Sequence, residues 1–197
     1  MVYPLAMPFN LPIALTWLRV AAIPLLVAVF YLPNSWLSPL EKNIVATVIF
    51  VFAALTDWLD GFLARRMKQE SAFGQFLDPV ADKLIVAASL LVLLNMDRVQ
   101  VWVALIIIGR EITISALREW MALLGAGKSV AVHLVGKLKT TAQLIAIPFL
   151  LLNDILFGWL DCARLGTWLI WIASFLTLWS MFYYLKKALP QLIDKAQ

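Results

Sequence analysis

The sequence predicts an all-α integral membrane protein with six transmembrane helices, and three observations support this fold class. The composition is 63% hydrophobic and only 14% charged, whereas soluble domains are nearer half apolar and a quarter charged. Six apolar stretches come close to the about 20 residues that a helix needs to cross a bilayer. The chain also holds nine tryptophans, and this side chain favours the membrane–water boundary.

Six helices and a short leading segment are predicted along the chain. Residues 1–10, with Pro4 and Pro8, are expected to lie at the membrane interface. The predicted helices are Leu11–Leu32, Asn43–Leu63, Asp78–Met96, Val99–Leu124, Gly136–Gly158 and Leu165–Leu185. The start of the third helix has two interpretations. Asp78 can be its N-cap with Pro79 at the first helical position, or the helix can begin near Gly74 and be kinked at Pro79. The sixth stretch contains no charged residue and is the clearest span.

The positive charges indicate the orientation of these helices. With the N-terminus inside, the inner connections and the tail carry Arg65, Arg66, Lys68, Lys128, Lys186, Lys187 and Lys195, and Arg118, Lys137 and Lys139 flank the connection that holds Lys128. The outer connections hold only Lys42, Arg98 and Arg164. We therefore expect both termini to lie in the cytoplasm. No basic face with interleaved aromatic residues is present, so nucleic acid is not an expected partner.

Charged residues within the predicted helices share one depth. Asp57, Asp82 and Arg19 each lie about 20 Å from the outer end of their helix at 1.5 Å per residue. Lys139 lies about as far from Asn153, and Arg110 lies about 17 Å from Val99. The hydrocarbon core is about 30 Å thick, so these groups come close to the cytoplasmic headgroups. Ionisable residues at such depth usually face a wet interior. The sequence therefore predicts a polar cavity open to the cytoplasm.

Four aspartates dominate the second and third helices. Asp57 and Asp60 are three residues apart on one helix face, and Asp78 and Asp82 are four apart. Carboxylates at one depth repel each other unless their charge is compensated. Oxygen ligands suit Mg²⁺, Mn²⁺ or Ca²⁺ rather than Zn²⁺, and a pair of such ions is typical of phosphoryl-transfer sites. The alternative is that each aspartate pairs with a nearby arginine or lysine.

A longer pattern runs through these aspartates. It reads Asp57-x2-Asp60-Gly61-x2-Ala64-Arg65-x8-Gly74-x3-Asp78-x3-Asp82. At every fixed position it resembles the signature of the CDP-alcohol phosphatidyltransferase family. The segment "FNLPIALTWLRVAAIP" is similar to the family's amino-terminal part, and "GREITISALREW" and "VGKLKTTAQ" resemble the branch that uses glycerol 3-phosphate.

The resemblance implies an activity and its setting. Such an enzyme transfers the phosphatidyl group of CDP-diacylglycerol to glycerol 3-phosphate and releases CMP, with Mg²⁺ or Mn²⁺, two ions per active site. It implies a homodimer among the lipids of a bacterial-type inner membrane, with the active site on the cytoplasmic side. Residues 11–187 would be the catalytic domain, preceded by the interfacial segment 1–10 and followed by a cytoplasmic tail, residues 188–197.

The resemblance also implies roles for individual residues. The metal ligands would be Asp57, Asp60, Asp78 and Asp82, and Asp82 is also the candidate general base. The residues that would bind the CDP moiety are Gly61, Ala64, Arg65, Gly74 and Thr16. The acceptor's phosphate is assigned to Arg110, Arg118, Lys137 and Lys139, since arginine and lysine bind phosphate well.

Several of these assignments have simpler alternatives. Arg110 could pair locally with Glu111, Arg118 could meet headgroups, and the two lysines could serve only to set topology. Arg19 could contact a phosphate or neutralise an aspartate. Within the family the acceptor could be another alcohol, such as inositol phosphate, and outside it an ion or proton transporter could use membrane carboxylates as a relay. A transporter would not explain the glycine, alanine and arginine at fixed positions between the acids.

Overall fold

The structure, a computed structural model, describes residues 11–67, 72–123 and 134–196, and most of them are helical. The elements are α1 (Leu11–Tyr31), α2 (Pro39–Met67), α3 (Ala72–Asn95), α4 (Val101–Leu123), α5 (Leu134–Leu152), β1 (Ile155–Leu156), β2 (Leu160–Asp161) and α6 (Cys162–Ala196). The chain divides into two compact units, the first ending at Ser89 and the second beginning at Leu90.

Local sequence accounts for the start of α2. The Ser38 backbone N–H donates to the Glu41 carboxylate at 2.7 Å, and the Glu41 N–H donates to the Ser38 hydroxyl at 3.3 Å. This reciprocal pair is a capping box, with Pro39 in the first helical position, where its missing N–H is not needed. Lys42 then donates to the Leu32 carbonyl at 2.6 Å, which closes the connection from α1.

In the first unit α1 packs against α2. The buried apolar residues of the two helices recur every three or four positions, so each helix presents one face to its neighbour. They are Ala22, Leu26, Val29, Ala46, Phe50 and Ala53. The alanines among them let the two helix axes approach closely.

In the second unit α6 packs against both α5 and α4. The closest approach is at Gly166, where an added Cβ would lie 2.7 Å from Leu150 Cγ and 3.1 Å from the Leu150 nitrogen. Arg98 donates to the Leu150 and Leu151 carbonyls at 3.2 and 2.8 Å, which satisfies acceptors at the end of α5. The contact between α5 and α6 therefore fixes their relative register.

Three helices of the described residues are long and apolar enough to cross a membrane. They contain the stretches Ala14–Tyr31, Pro39–Asp57 and Cys162–Lys186. The apolar part of α5 is shorter, Leu138–Leu152, while α3 and α4 carry several charges within their length. The helical class is thus confirmed with three candidate spans, and six membrane crossings stay a prediction.

Three sequence-based expectations about helix ends are wrong. The fifth helix does not reach Gly158, because Asn153 takes a left-handed φ of 49° and the next residues pair as β1 and β2. The last helix does not stop at Leu185 but continues to Ala196, since loss of hydropathy marks an exit from lipid and not the end of a helix. The interpretation of Asp78 as a cap fails because α3 begins at Ala72 and Pro79 lies inside it. The predicted interfacial segment, residues 1–10, lies outside the described residues.

Candidate functional site

Two of the predicted aspartates meet at Arg19. The Arg19 Nη1 nitrogen lies 2.5 Å from an Asp82 oxygen and 3.2 Å from an Asp57 oxygen. These residues come from α3, α2 and α1, so three helices of the first unit converge here. Arg19 is 1% exposed, whereas the Asp57 and Asp82 side chains are 47% and 41% exposed. The guanidinium therefore forms the buried floor of a site with accessible carboxylates.

The charges at this point are only partly balanced. Among the described side chains, one guanidinium faces two carboxylates, so these three groups carry a net negative charge when both aspartates are ionised. Carboxylates within reach of one nitrogen repel each other, and the arginine reduces that repulsion. Of the two roles considered for Arg19, neutralisation is confirmed, and it extends to two aspartates instead of one.

A second contact lies one helical turn away. The Thr16 hydroxyl donates to Asp78 at 2.5 Å. Thr16 and Arg19 are three residues apart on α1, and Asp78 and Asp82 are four apart on α3, so the two contacts follow one another along facing helices. α1 thus orients both aspartates of α3.

The remaining members of the aspartate pattern are located by their helices. Asp60, Gly61, Ala64 and Arg65 continue α2 after Asp57, and their side chains lie outside those that the structure describes. Gly74 lies in α3 one turn before Asp78. The structure therefore brings together Thr16, Arg19, Asp57, Asp78 and Asp82, and it confirms that both halves of the pattern are helical.

The donor set can be compared with the needs of a metal ion. Among the described side chains, no three acidic, histidine or cysteine residues converge closely enough to hold a metal by themselves. The available donors are carboxylate oxygens, which suit hard divalent cations. Asp57 and Asp82 are exposed enough to be reached by an ion, and Asp60 is one turn from Asp57. The carboxylate oxygens of Asp57 and Asp82 are thus donors of the kind that a divalent cation prefers.

A second charged cluster lies in the second unit. One oxygen of Glu111, on α4, accepts hydrogen bonds from Arg110 and from Lys139 of α5, each at 2.7 Å. Arg110 and Lys139 are buried. The alternative that Arg110 pairs locally with Glu111 is confirmed, and Lys139 joins the same carboxylate. Among the described side chains, two cations share one anion, so this cluster carries a net positive charge.

The other two predicted phosphate ligands are less closely defined. Arg118 is exposed on α4, unlike the buried Arg110. Lys137 lies in the first turn of α5, and its side chain is outside the described ones.

Some polar residues of this unit were missed by the sequence analysis. Glu111 was considered only as a local partner of Arg110, although an acid at the depth of Lys139 could have indicated a bridge between helices. Ser174 and Thr177 are buried within the stretch that was identified only by its lack of charge, and Gln143 is buried at the end of the segment VGKLKTTAQ. The regular spacing of Ser174, Thr177 and Ser180 on one face of α6 was the available signal.

Comparison with known proteins gives a consistent result. The model of the CDP-alcohol phosphatidyltransferase family matches residues 9–179. Relatives named CDP-diacylglycerol–glycerol-3-phosphate 3-phosphatidyltransferase, from Salmonella choleraesuis strain SC-B67 and Escherichia coli strain K12, are 50% identical over 192 residues. The alignment covers 96% of this chain and 100% of each relative. The similarity therefore extends over both units.

Proposed function

Since this chain belongs to the CDP-alcohol phosphatidyltransferase family, we propose that it transfers the phosphatidyl group of CDP-diacylglycerol to glycerol 3-phosphate. The products are phosphatidylglycerophosphate and CMP. The observation that carries the proposal is the meeting of Asp57 and Asp82, from two helices of the family pattern, at Arg19. The names of the relatives support the choice of donor and acceptor.

The donor's diphosphate is assigned to the aspartate site. Members of the family generally use divalent cations. In this chain two Mg²⁺ or Mn²⁺ ions per active site would be held by Asp57, Asp60, Asp78 and Asp82. Such ions, when bound, neutralise phosphate charge and stabilise the leaving CMP. Arg19 holds Asp57 and Asp82 together from below, while Thr16 fixes Asp78. The CDP moiety is further assigned to Gly61, Ala64, Arg65 and Gly74, with Thr16 at its edge.

Asp82 is assigned as the general base. Its carboxylate takes the proton of the acceptor's primary hydroxyl, whose oxygen forms a bond to the phosphatidyl phosphorus. The bond from that phosphorus to the CMP oxygen breaks, and CMP leaves with the electron pair. Most of the rate enhancement in phosphoryl transfer comes from positioning and charge stabilisation. Asp82 must therefore be held in one orientation, and its ion pair with Arg19 holds it there.

The acceptor's own phosphate is assigned to the cluster in the second unit. Arg110 and Lys139 retain a net positive charge beside Glu111, and Lys137 and Arg118 add to it. Arginine offers a planar pair of donors and lysine a point charge, both suited to phosphate. A pocket of this charge favours glycerol 3-phosphate over an uncharged alcohol.

The surroundings follow from charge and composition. The excess of lysine and arginine in the inner connections favours cytoplasmic termini and a cytoplasmic active site in a bacterial-type inner membrane. A lipid donor then enters from the bilayer, while the acceptor and CMP exchange with water. The enzyme is assigned as a homodimer by analogy with its family.

A parallel acceptor assay tests this function. Purified protein receives CDP-diacylglycerol with glycerol 3-phosphate, serine or inositol phosphate, and released CMP and the lipid product are measured. We expect glycerol 3-phosphate to react about 100-fold faster than serine, because serine has no phosphate for the basic residues to bind. A preference for inositol phosphate would change the acceptor within the family. No CMP release with any acceptor would reject the transferase and favour an ion or proton transporter.

A further inference from the structure

One buried hydroxyl of α6 differs from its neighbours. The hydroxyls of Thr167, Ser174 and Ser180 donate to backbone carbonyls of their own helix at 2.8, 2.8 and 3.0 Å. Thr177 is 1% exposed, and among the described residues its hydroxyl has no hydrogen-bond partner. A buried hydroxyl without a partner is unfavourable. Because Ser174 and Ser180 on the same face are satisfied within the helix, the Thr177 hydroxyl is the one among these that is available to a ligand.

The register of the helices places Thr177 level with the charged cluster. Gly166 of α6 lies against Leu150 of α5, and the two helices run in opposite directions. Thr177 is as many residues from Gly166 as Lys139 is from Leu150. At 1.5 Å per residue in both helices, Thr177 and Lys139 therefore lie at one height.

Arg110 reaches the same height from α4. Glu111 accepts hydrogen bonds from both Arg110 and Lys139, so its carboxylate links α4 to α5 at this level. Arg110 shares the buried face of α4 with Ile107 and Ile114, and α4 packs on α6 in the same unit. The Arg110 Nε–H is buried and, within the described part of the chain, has no acceptor. Two unsatisfied donors thus lie at one level of this three-helix unit.

We propose that the Thr177 hydroxyl and the Arg110 Nε–H both donate to the phosphate of the acceptor. The inference rests on the proposed function and adds α6 to its acceptor pocket. A phosphate monoester offers several acceptor oxygens, so it can take both donors together with the Lys139 ammonium. Thr177 is a positioning residue for the acceptor, because it holds the phosphate and takes no part in the proton transfer.

Paired substitutions at Thr177 test the proposal. Thr177→Val keeps the shape and removes the hydroxyl, while Thr177→Ser keeps the hydroxyl. We expect Thr177→Val to raise the KM for glycerol 3-phosphate by about tenfold or more, as for loss of a hydrogen bond to a charged group. The KM for CDP-diacylglycerol should change by less than about twofold, and Thr177→Ser should stay close to wild type. Equal rises in both KM values would assign Thr177 to the lipid phosphate and overturn the proposal.

A matched control separates binding from packing. Ser174 lies on the same face, but its hydroxyl is satisfied by the Ile170 carbonyl, so Ser174→Ala should leave the acceptor KM unchanged. If Thr177 serves packing alone, valine should raise the melting temperature with no change in either KM, and that result overturns the proposal.

A binding measurement keeps the outcome independent of the reaction. Titration of purified protein with inorganic phosphate by calorimetry should show weaker binding to Thr177→Val than to wild type. If wild type fails to turn over glycerol 3-phosphate, the proposed function falls, and the phosphate titration still decides the role of Thr177. Equal affinity of both proteins for phosphate overturns the inference even when the proposed function stands.

Discussion

Single residues within the helices carry charges that are met by opposite charges on a neighbouring helix. Arg19 contacts two aspartates, and Glu111 contacts Arg110 and Lys139. A charge held away from water without such a partner would be strongly unfavourable. The sequence was enough to identify the aspartates, Arg110 and Lys139 as charged residues at membrane depth, and their roles stay predictions. The pairing of Arg19 with two aspartates could not be identified in this way, because a sequence gives the depth of a residue but not the rotation of one helix against the next.

The role of Asp82 can be tested by a substitution that keeps its shape. Asp82→Asn removes the base and one negative charge, so we expect CMP release to fall by about 10²–10⁴-fold or more, while the protein still inserts into the membrane. The control is Asp97→Asn, at an exposed position between α3 and α4, which should keep the wild-type rate. Turnover of Asp82→Asn within about twofold of wild type would exclude Asp82 as the base.

At the level of whole elements, hydropathy located all six helices but not all of their ends. Ile155 and Leu156 extend the apolar run of α5, yet Asn153 ends the helix by adopting a left-handed φ. The hairpin that follows turns through Phe157 and Gly158, both at positive φ. Phenylalanine rarely takes this conformation, so its position gave no turn signal. Pro79 was ambiguous because proline occurs both at helix starts and inside membrane helices.

The contact between α5 and α6 makes a prediction about stability. Gly166→Ala places a Cβ against Leu150. We expect the resulting overpacking to lower the free energy of unfolding by about 1–3 kcal/mol and to lower the melting temperature in detergent. Gly109→Ala is the matched control, because a Cβ there meets nothing within 4 Å and alanine favours a helix. Its melting temperature should equal or exceed that of wild type. Equal melting of the two variants would contradict the close approach at Gly166.

The whole molecule combines apolar helices with two clusters of opposite character, one in each unit. The cluster at Arg19 is acidic and suits cations on a diphosphate, while the cluster at Glu111 is basic and suits a phosphate monoester. The sequence predicted both chemical types, since the aspartates and the basic residues occupy separate segments. It could not indicate a dimer interface, because helices that face lipid and helices that face a partner are equally apolar.

We propose that the four aspartates act through bound divalent cations, and the metal dependence of CMP release is the decisive test of this role. Purified protein is treated with excess EDTA, supplied with CDP-diacylglycerol and glycerol 3-phosphate, and assayed before and after Mg²⁺ or Mn²⁺ is restored. We expect CMP release to stop in the chelator and to return with either ion. Unchanged CMP release in excess EDTA would contradict the metal site.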